Sequence, residues 1–265
     1  MELSLLAACP SLTDLEIDGS AHTDAQVEQI RGTLGHLKRF SVGEMETVDL
    51  ARFLQPPVTA RWQDIGIVMA DARTGELLLR LPSLTKLYLI FPDIAPVDFL
   101  PQLPLLTALH LECSDDAAGD ALLAALQLCS GITELNMRCG FNSAHWAALS
   151  AKLPLKSLAI RGEKIESLQC FTAGPITQSL EVLRIEEPPS ELSHLHGLRR
   201  LRTLRLDQCL PSRLDIATLH SLSPPTPMLP ALTHLFLEWW TENEQFDSGE
   251  RHGPSFEWMQ QRLSQ

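Results

Sequence analysis

The chain has 265 residues, 45% of them hydrophobic, and a formal net charge of −12 from 33 acidic and 21 basic side chains. Such a chain holds one large or two ordinary domains with a continuous core, and its apolar content speaks against disorder. The acidic balance speaks against general nucleic-acid binding, which needs a positive footprint.

No apolar run approaches the roughly 18–20 residues that span a bilayer, so no membrane association is expected. The opening MELSLLAACPSL lacks a basic n-region and carries Glu2, so no secretory signal is expected either. The six cysteines (Cys9, Cys113, Cys129, Cys139, Cys170 and Cys209) are scattered, with no C-x-x-C pair. They read as buried free thiols in a reducing compartment, so the expected location is cytoplasmic.

In chain order, one pattern recurs. The template L-x-x-L-x-L fits SLTDLEI (Leu12, Leu15, Ile17), HLKRFSV (Leu37, Phe40, Val42), RWQDIGI (Trp62, Ile65, Ile67), SLTKLYL (Leu84, Leu87, Leu89) and LLTALHL (Leu106, Leu109, Leu111). It fits again at GITELNM (Ile132, Leu135, Met137), PLKSLAI (Leu155, Leu158, Ile160), SLEVLRI (Leu180, Leu183, Ile185), RLRTLRL (Leu201, Leu204, Leu206) and ALTHLFL (Leu232, Leu235, Leu237). These ten units recur at steps of 21 to 31 residues, and the Trp62 unit is the poorest match. The second and third apolar positions are two apart, so both face one side of a short strand. Between strands, 23–34, 117–129, 143–153 and 214–222 carry helical patterns that return the chain. Strands joined in this way run parallel, and stacking buries a continuous core.

The repeat covers nearly the whole chain and resembles the leucine-rich repeat family. The resemblance implies an α/β fold: a right-handed solenoid with a curved parallel sheet of about ten short strands, helices and irregular turns on the convex side. Cys9 in CPSLTDLEI and Cys129 in CSGITELNM, with HTDAQVEQI, resemble the cysteine-containing subclass of F-box-linked substrate receptors. The family places Asn or Cys three residues after the last strand leucine. Here only Cys209 fits, among Ser20, Met45, Ala70, Pro92, Ser114, Gly140, Glu163, Pro188 and Trp240. That internal ladder is therefore expected to be mostly absent. The solenoid is assigned to 1–240, as a single domain with a polar loop and capping helix over 241–265, where Phe256, Met259 and Leu263 recur at helical spacing. The SPPTPM stretch at 223–228 accounts for the longest step.

Catalytic signals are weak. Cys113, Ser114 and Asp115 form a C-x-D triplet similar to the motif of bacterial ubiquitin-ligase effectors. Those proteins keep it in a separate helical domain for which this chain has no room. Next to Asp115 and Asp116 the thiol would be raised rather than activated, so a turn cysteine is the favoured reading. His194 and His196 stand two apart with no Cys, Asp or Glu set to complete a metal site. No phosphate-binding, dinucleotide, nucleophile-elbow or H-E-x-x-H motif occurs. Neither enzyme activity nor a cofactor is expected.

The outward residues carry the information. Between the inward positions lie Glu16, Ser41, Gly66, Tyr88, His110, Asn136, Ala159, Arg184, Arg205 and Phe236. One row further lie Asp18, Gly43, Val68, Ile90, Glu112, Arg138, Arg161, Glu186, Asp207 and Glu238. Val68, Tyr88 and Ile90 are expected to form an apolar patch. Arg138, Arg161, Arg184 and Arg205 form a basic one, or a solvated face neutralised by Glu112, Glu134, Glu186 and Asp207. Phe236, Trp239 and Trp240 belong to a cap seam or a hot spot. The expected function is non-catalytic recognition of a protein or acidic peptide on the concave face by a monomer. Tyr88, Ile90, His110, Asn136, Arg138, Arg161, Arg184, Arg205 and Phe236 are the candidate contacts. A ubiquitin-ligase substrate receptor and a secreted bacterial effector remain as alternatives.

Overall fold

The computed structural model describes residues 9, 11–17, 37–42, 47–54, 62–68, 70–91, 97–113, 119–162, 165–189, 191–209 and 229–239. The helical patterns at 23–34 and 214–222, the stretch at 223–228 and the expected cap over 241–265 lie outside these residues.

The chain divides into two compact units, Met1–Gly140 and Phe141–Gln265. The first holds β1 (Asp14–Ile17), β2 (Arg39–Val42), β3 (Asp64–Val68), β4 (Lys86–Phe91), β5 (Ala108–Cys113) and β6 (Glu134–Arg138). Among the described residues its helices are α1 (Thr47–Phe53), α2 (Thr74–Leu78) and α3 (Gly119–Leu128), with a 3-10 turn at Leu100–Gln102. The second holds β7 (Ser157–Ile160), β8 (Val182–Glu186), β9 (Thr203–Cys209) and β10 (His234–Trp239). Between them run α4 (Ser143–Ser150), α5 (Ile176–Ser179) and 3-10 turns at Leu168–Phe171 and Ser193–Gly197. Within each unit sheet order is sequence order, β1 to β6 in the first and β7 to β10 in the second. The helical patterns at 117–129 and 143–153 thus fold as α3 and α4.

The repeat template is the register. In the first unit Leu15 pairs with Phe40, Phe40 with Ile65, Ile65 with Leu87, Leu87 with Leu109 and Leu109 with Leu135. In the second, Leu158 pairs with Leu183, Leu183 with Leu204 and Leu204 with Leu235. Every one of these residues except Leu235 is buried. Burying such a side chain contributes about 1.5–3 kcal/mol, and a register slip of one residue would turn the whole set outward. Trp62, the poorest fit to the template, is fully buried with its ring 4.8 Å from that of Phe40. A large aromatic therefore serves as well as leucine at that position. Leu235 is 41% exposed although its register partner Leu204 is fully buried.

The recurring Leu-Thr pair has a hydrogen-bonding reason. In several repeats the carbonyl of the residue after the first core position accepts two backbone N–H groups from the next repeat: Thr85 accepts from Thr107 and Ala108, Thr107 from Thr133 and Glu134, and Arg202 from Thr233 and His234. Where the next unit has threonine, its hydroxyl donates to the same oxygen, at 2.9 Å from Thr85 to Gln63 and 3.1 Å from Thr233 to Arg202. Threonine also suits a strand entry through its branched Cβ.

The return segments are short and individually secured. Asn142 caps α4: its Oδ1 accepts from the Ala144 and His145 amides at 3.0 Å, and His145 Nδ1 accepts from the Asn142 amide. Behind it Trp146 is buried, with ring centroids 5.1 Å from Phe141 and 6.4 Å from Phe171. Gly174 has φ +85° and lies so close to α4's end that a Cβ would meet Ser150 O at 2.5 Å. In strand number, order and register this is a leucine-rich-repeat solenoid.

Candidate functional site on the outward sheet face

Alternation along each strand turns the residues between the core positions outward. In the first unit Gly66, Tyr88, His110 and Asn136 stand in register, and Val68, Ile90, Glu112 and Arg138 form the adjacent row. All are half-buried except Arg138, which is exposed. The structure therefore brings Val68, Tyr88 and Ile90 onto neighbouring positions of β3 and β4.

Tyr88, His110 and Asn136 interact along their row. The Tyr88 and His110 ring centroids are 4.1 Å apart at 56°. His110 Nε2 lies 3.2 Å from Glu112 Oε1, and Asn136 Nδ2 lies 2.9 Å from His110 Nδ1. One consistent assignment has a neutral imidazole donating from Nε2 to Glu112 and accepting from Asn136 at Nδ1. Asn136 Oδ1 is then buried without a hydrogen-bond partner. Glu112 thus serves His110.

In the second unit the outward row is Ala159, Arg184, Arg205 and Phe236. Arg184 and Arg205 converge on one carboxylate. Arg184 Nε donates to Asp207 Oδ2 at 2.5 Å and Arg205 Nε to Asp207 Oδ1 at 2.7 Å. Arg205 Nη2 also reaches Glu238 Oε2 at 3.2 Å. Asp207 is 3% exposed, so its charge is withdrawn from water and depends on this pair. The hydrogen bond to Asp207 is the main cause of a raised Arg205 pKa. Arg161 follows β7 and is half-buried. Phe236 is 50% exposed, in register with Arg205, with its ring parallel to that of His234.

The strand ends around Asp207 share a backbone feature. Gly162, Glu187 and Gln208, each two residues beyond the last core position of β7, β8 and β9, have φ of 65°, 56° and 54°. Glu186 ties them together, accepting from the Gly162 amide at 3.0 Å and from the Gln208 side-chain amide. Of the acids expected to neutralise the arginines, Asp207 is the one that does so for Arg184 and Arg205, while Glu186 serves the turn. Sequence reading did not single out Gln208 or the clasping role of Asp207. The recurring I-R-G, I-E-E, L-D-Q ending of three successive units was the available signal.

The internal ladder is fuller than the sequence suggested. Cys139 is buried and its thiol lies 3.8 Å from the Leu111 carbonyl, while Cys209 donates to Leu206 O at 3.4 Å. Cys139 does this two residues after Met137, because β6 ends without the left-handed residue that delays Cys209 to the third place. Burial pushes the Cys129 and Cys170 thiols up to about 11. It pushes Cys209 to about 12, with the Asp207 and Glu238 charges adding. None of the three is a thiolate at neutral pH. Cys113 ends β5 and is half-buried, and Ser114 and Asp115 lie outside the described residues. His194 and His196 occupy the 3-10 turn, where His196 Nδ1 donates to Ser193 O at 2.6 Å. Among the described residues no cluster of three His, Cys, Asp or Glu side chains could hold a metal ion.

No protein-family model matches the chain, and no curated protein matches it. Among 35 solved chains that match is internalin C2 from Listeria monocytogenes, 17% identical, covering 88% of this chain and 92% of that one with a TM-score of 0.46.

Proposed function

We propose that the chain is a non-catalytic scaffold, intracellular and monomeric, that recognises a protein or peptide partner on the outward face of its sheet. The observation that carries this reading is the register of Tyr88, His110 and Asn136. They form a half-exposed aromatic, imidazole and amide row whose members order one another. Aromatic side chains fixed in this way contribute contact area at low entropic cost and make interface hot spots. Strands about 4.8 Å apart let such a row read successive residues of a partner. The buried, raised-pKa thiols support a binding role over a nucleophilic one.

The test is an affinity pull-down with mass spectrometry, followed by calorimetry on any recovered partner. Tyr88→Ala is expected to weaken that partner by about tenfold or more, as hot-spot truncations do. Recovery of no partner by the parent, or equal affinity in the variant, would overturn the proposal.

A finer reading, as the substrate-receptor subunit of a ubiquitin ligase, is favoured by Cys129. It is buried at the end of α3 with its thiol donating to Ala125 O at 3.3 Å, a structural role for the cysteine that marks the subclass. Co-purification of a ligase adaptor would support it. The bacterial-effector reading requires instead that Cys113 react with a ubiquitin-derived electrophile.

A further inference from the structure

The arginine pair of the second unit is built as an anchor, and its geometry identifies what it holds. Each guanidinium meets Asp207 through Nε, and no hydrogen bond joins an Nη group to that carboxylate. Both Nη groups of Arg184 lack a partner among the described residues, and the Arg184 side chain is 31% exposed. Arg205 directs Nη2 to Glu238, a carboxylate 39% exposed at the rim. Asp207 is thus a positioning residue: it fixes two forks that would otherwise sample many rotamers. Glu238 already shows which ligand one of those forks accepts.

We propose that Arg184 and Arg205, aimed by the buried Asp207, anchor a carboxylate side chain from an extended acidic segment of a protein partner. Glu238 holds that place in the unbound protein. This rests on the scaffold reading and specifies its chemistry. The formal charges of Arg184, Arg205, Asp207 and Glu238 sum to zero. An incoming carboxylate that takes the place of Glu238 adds one negative charge near Asp207 and Glu186, whereas a phosphate dianion would add two. Phe236, in register with Arg205 and half exposed, supplies an apolar wall for the residue beside the acid.

The test uses the full chain and a fluorescein-labelled octapeptide of alternating Glu and Phe, read by anisotropy. Its Gln/Phe and phosphoserine/Phe counterparts serve as controls. The glutamate peptide is expected to bind, and the glutamine peptide to bind at least tenfold more weakly, as loss of a charge-assisted bond implies. Glu238→Gln removes the internal competitor and should tighten binding about threefold to fivefold, within the range of an exposed ion pair. Asp207→Asn should weaken binding and broaden the Arg184 and Arg205 Nε–Hε NMR signals. Glu238→Gln is a surface change and remains decisive if Asp207→Asn proves unstable.

No binding of the glutamate peptide, equal binding of the glutamine peptide, tighter binding of the phosphoserine peptide, or weaker or unchanged binding in Glu238→Gln overturns the anchor. A partner lost in Tyr88→Ala but kept in Arg184→Gln overturns the anchor and leaves the scaffold reading standing. Failure to recover any protein partner counts against the scaffold reading alone.

Discussion

Strands β4, β5 and β6 of the first unit end differently from β7, β8 and β9 of the second. In the first unit the alternation continues straight past the template: Phe91 and Cys139 are buried and Cys113 half-buried, each two residues after the last core position. In the second a left-handed residue intervenes at that place, Gly162, Glu187 or Gln208, and in the units of β8 and β9 the next buried residue arrives one later, as Pro188 and Cys209. One repeat template is thus closed in two ways, by an apolar plug or by a polar clasp. The clasp brings Glu186, Asp207, Arg184, Arg205 and Gln208 together. The first unit instead sets the aromatic, imidazole and amide groups of Tyr88, His110 and Asn136 beside Glu112 and Arg138.

The two closures should fail differently. Phe91→Ala leaves a cavity in a packed interior and is expected to cost about 3–5 kcal/mol by urea denaturation. Asp207→Ala leaves the partly buried Arg184 without its carboxylate and Arg205 with Glu238 alone, and is expected to cost about 3 kcal/mol. Only the second loss should shrink when Arg184 and Arg205 are replaced together by Met, because the stranded charges are then gone. A cost for Asp207→Ala near that of a surface pair, under about 1 kcal/mol, would show that the clasp is not integral to the second unit.

A third prediction separates the closures by acidity. Cys129, in the first unit, stands at about 11 from burial, and Cys209 at about 12, chiefly from burial with the Asp207 and Glu238 charges adding. Alkylation across an alkaline pH series should find Cys209 titrating last, and Asp207→Asn should bring it toward Cys129. Both pKa values are raised on folding, so the folded chain holds these protons longer than the unfolded one. Their contribution to stability is full below pH 9 and is lost as pH rises through 11 and 12. Equal titration of the two thiols would remove the electrostatic half of the distinction.

The core was legible because it depends on periodicity. Leu15, Leu87 and Leu183 fill positions that the two-residue alternation assigns, and the register follows from the template. Even Trp62 obeyed its position rather than its residue type. The strand endings were harder to read, because whether Cys139 or Cys209 turns inward depends on the sign of one φ angle. Glu and Gln carry no left-handed signal as glycine does. The outward row was legible as a set of residues but not as a set of partners. Nothing in the spacing of Arg184, Arg205 and Asp207 shows that one acid is buried between two arginines. The Leu-Thr pair was visible as a repeat, but its cause, a carbonyl accepting three donors, needs the neighbouring strand.

The smallest predicted effect isolates the backbone itself. Glu187 and Gln208 both sit in the left-handed region, which costs a non-glycine residue about 1–2 kcal/mol. They differ in what compensates. The Gln208 side-chain amide is bound to Glu186, whereas Glu187 contributes its backbone N–H to Asp207 O at 3.1 Å, a bond that any residue would keep. Glu187→Gly therefore relieves strain and keeps that bond, at the expense of unfolded-chain entropy. A net gain of about 0.5 kcal/mol is expected, a rise in Tm of roughly 1–2 °C for a chain of this size. Gln208→Gly relieves the same strain but forfeits the tie to Glu186 and is expected to be neutral or destabilising. Opposite signs for the two substitutions would show the polar clasp holding the second unit's turns in place. Equal gains would mean that strain alone distinguishes the two strand endings.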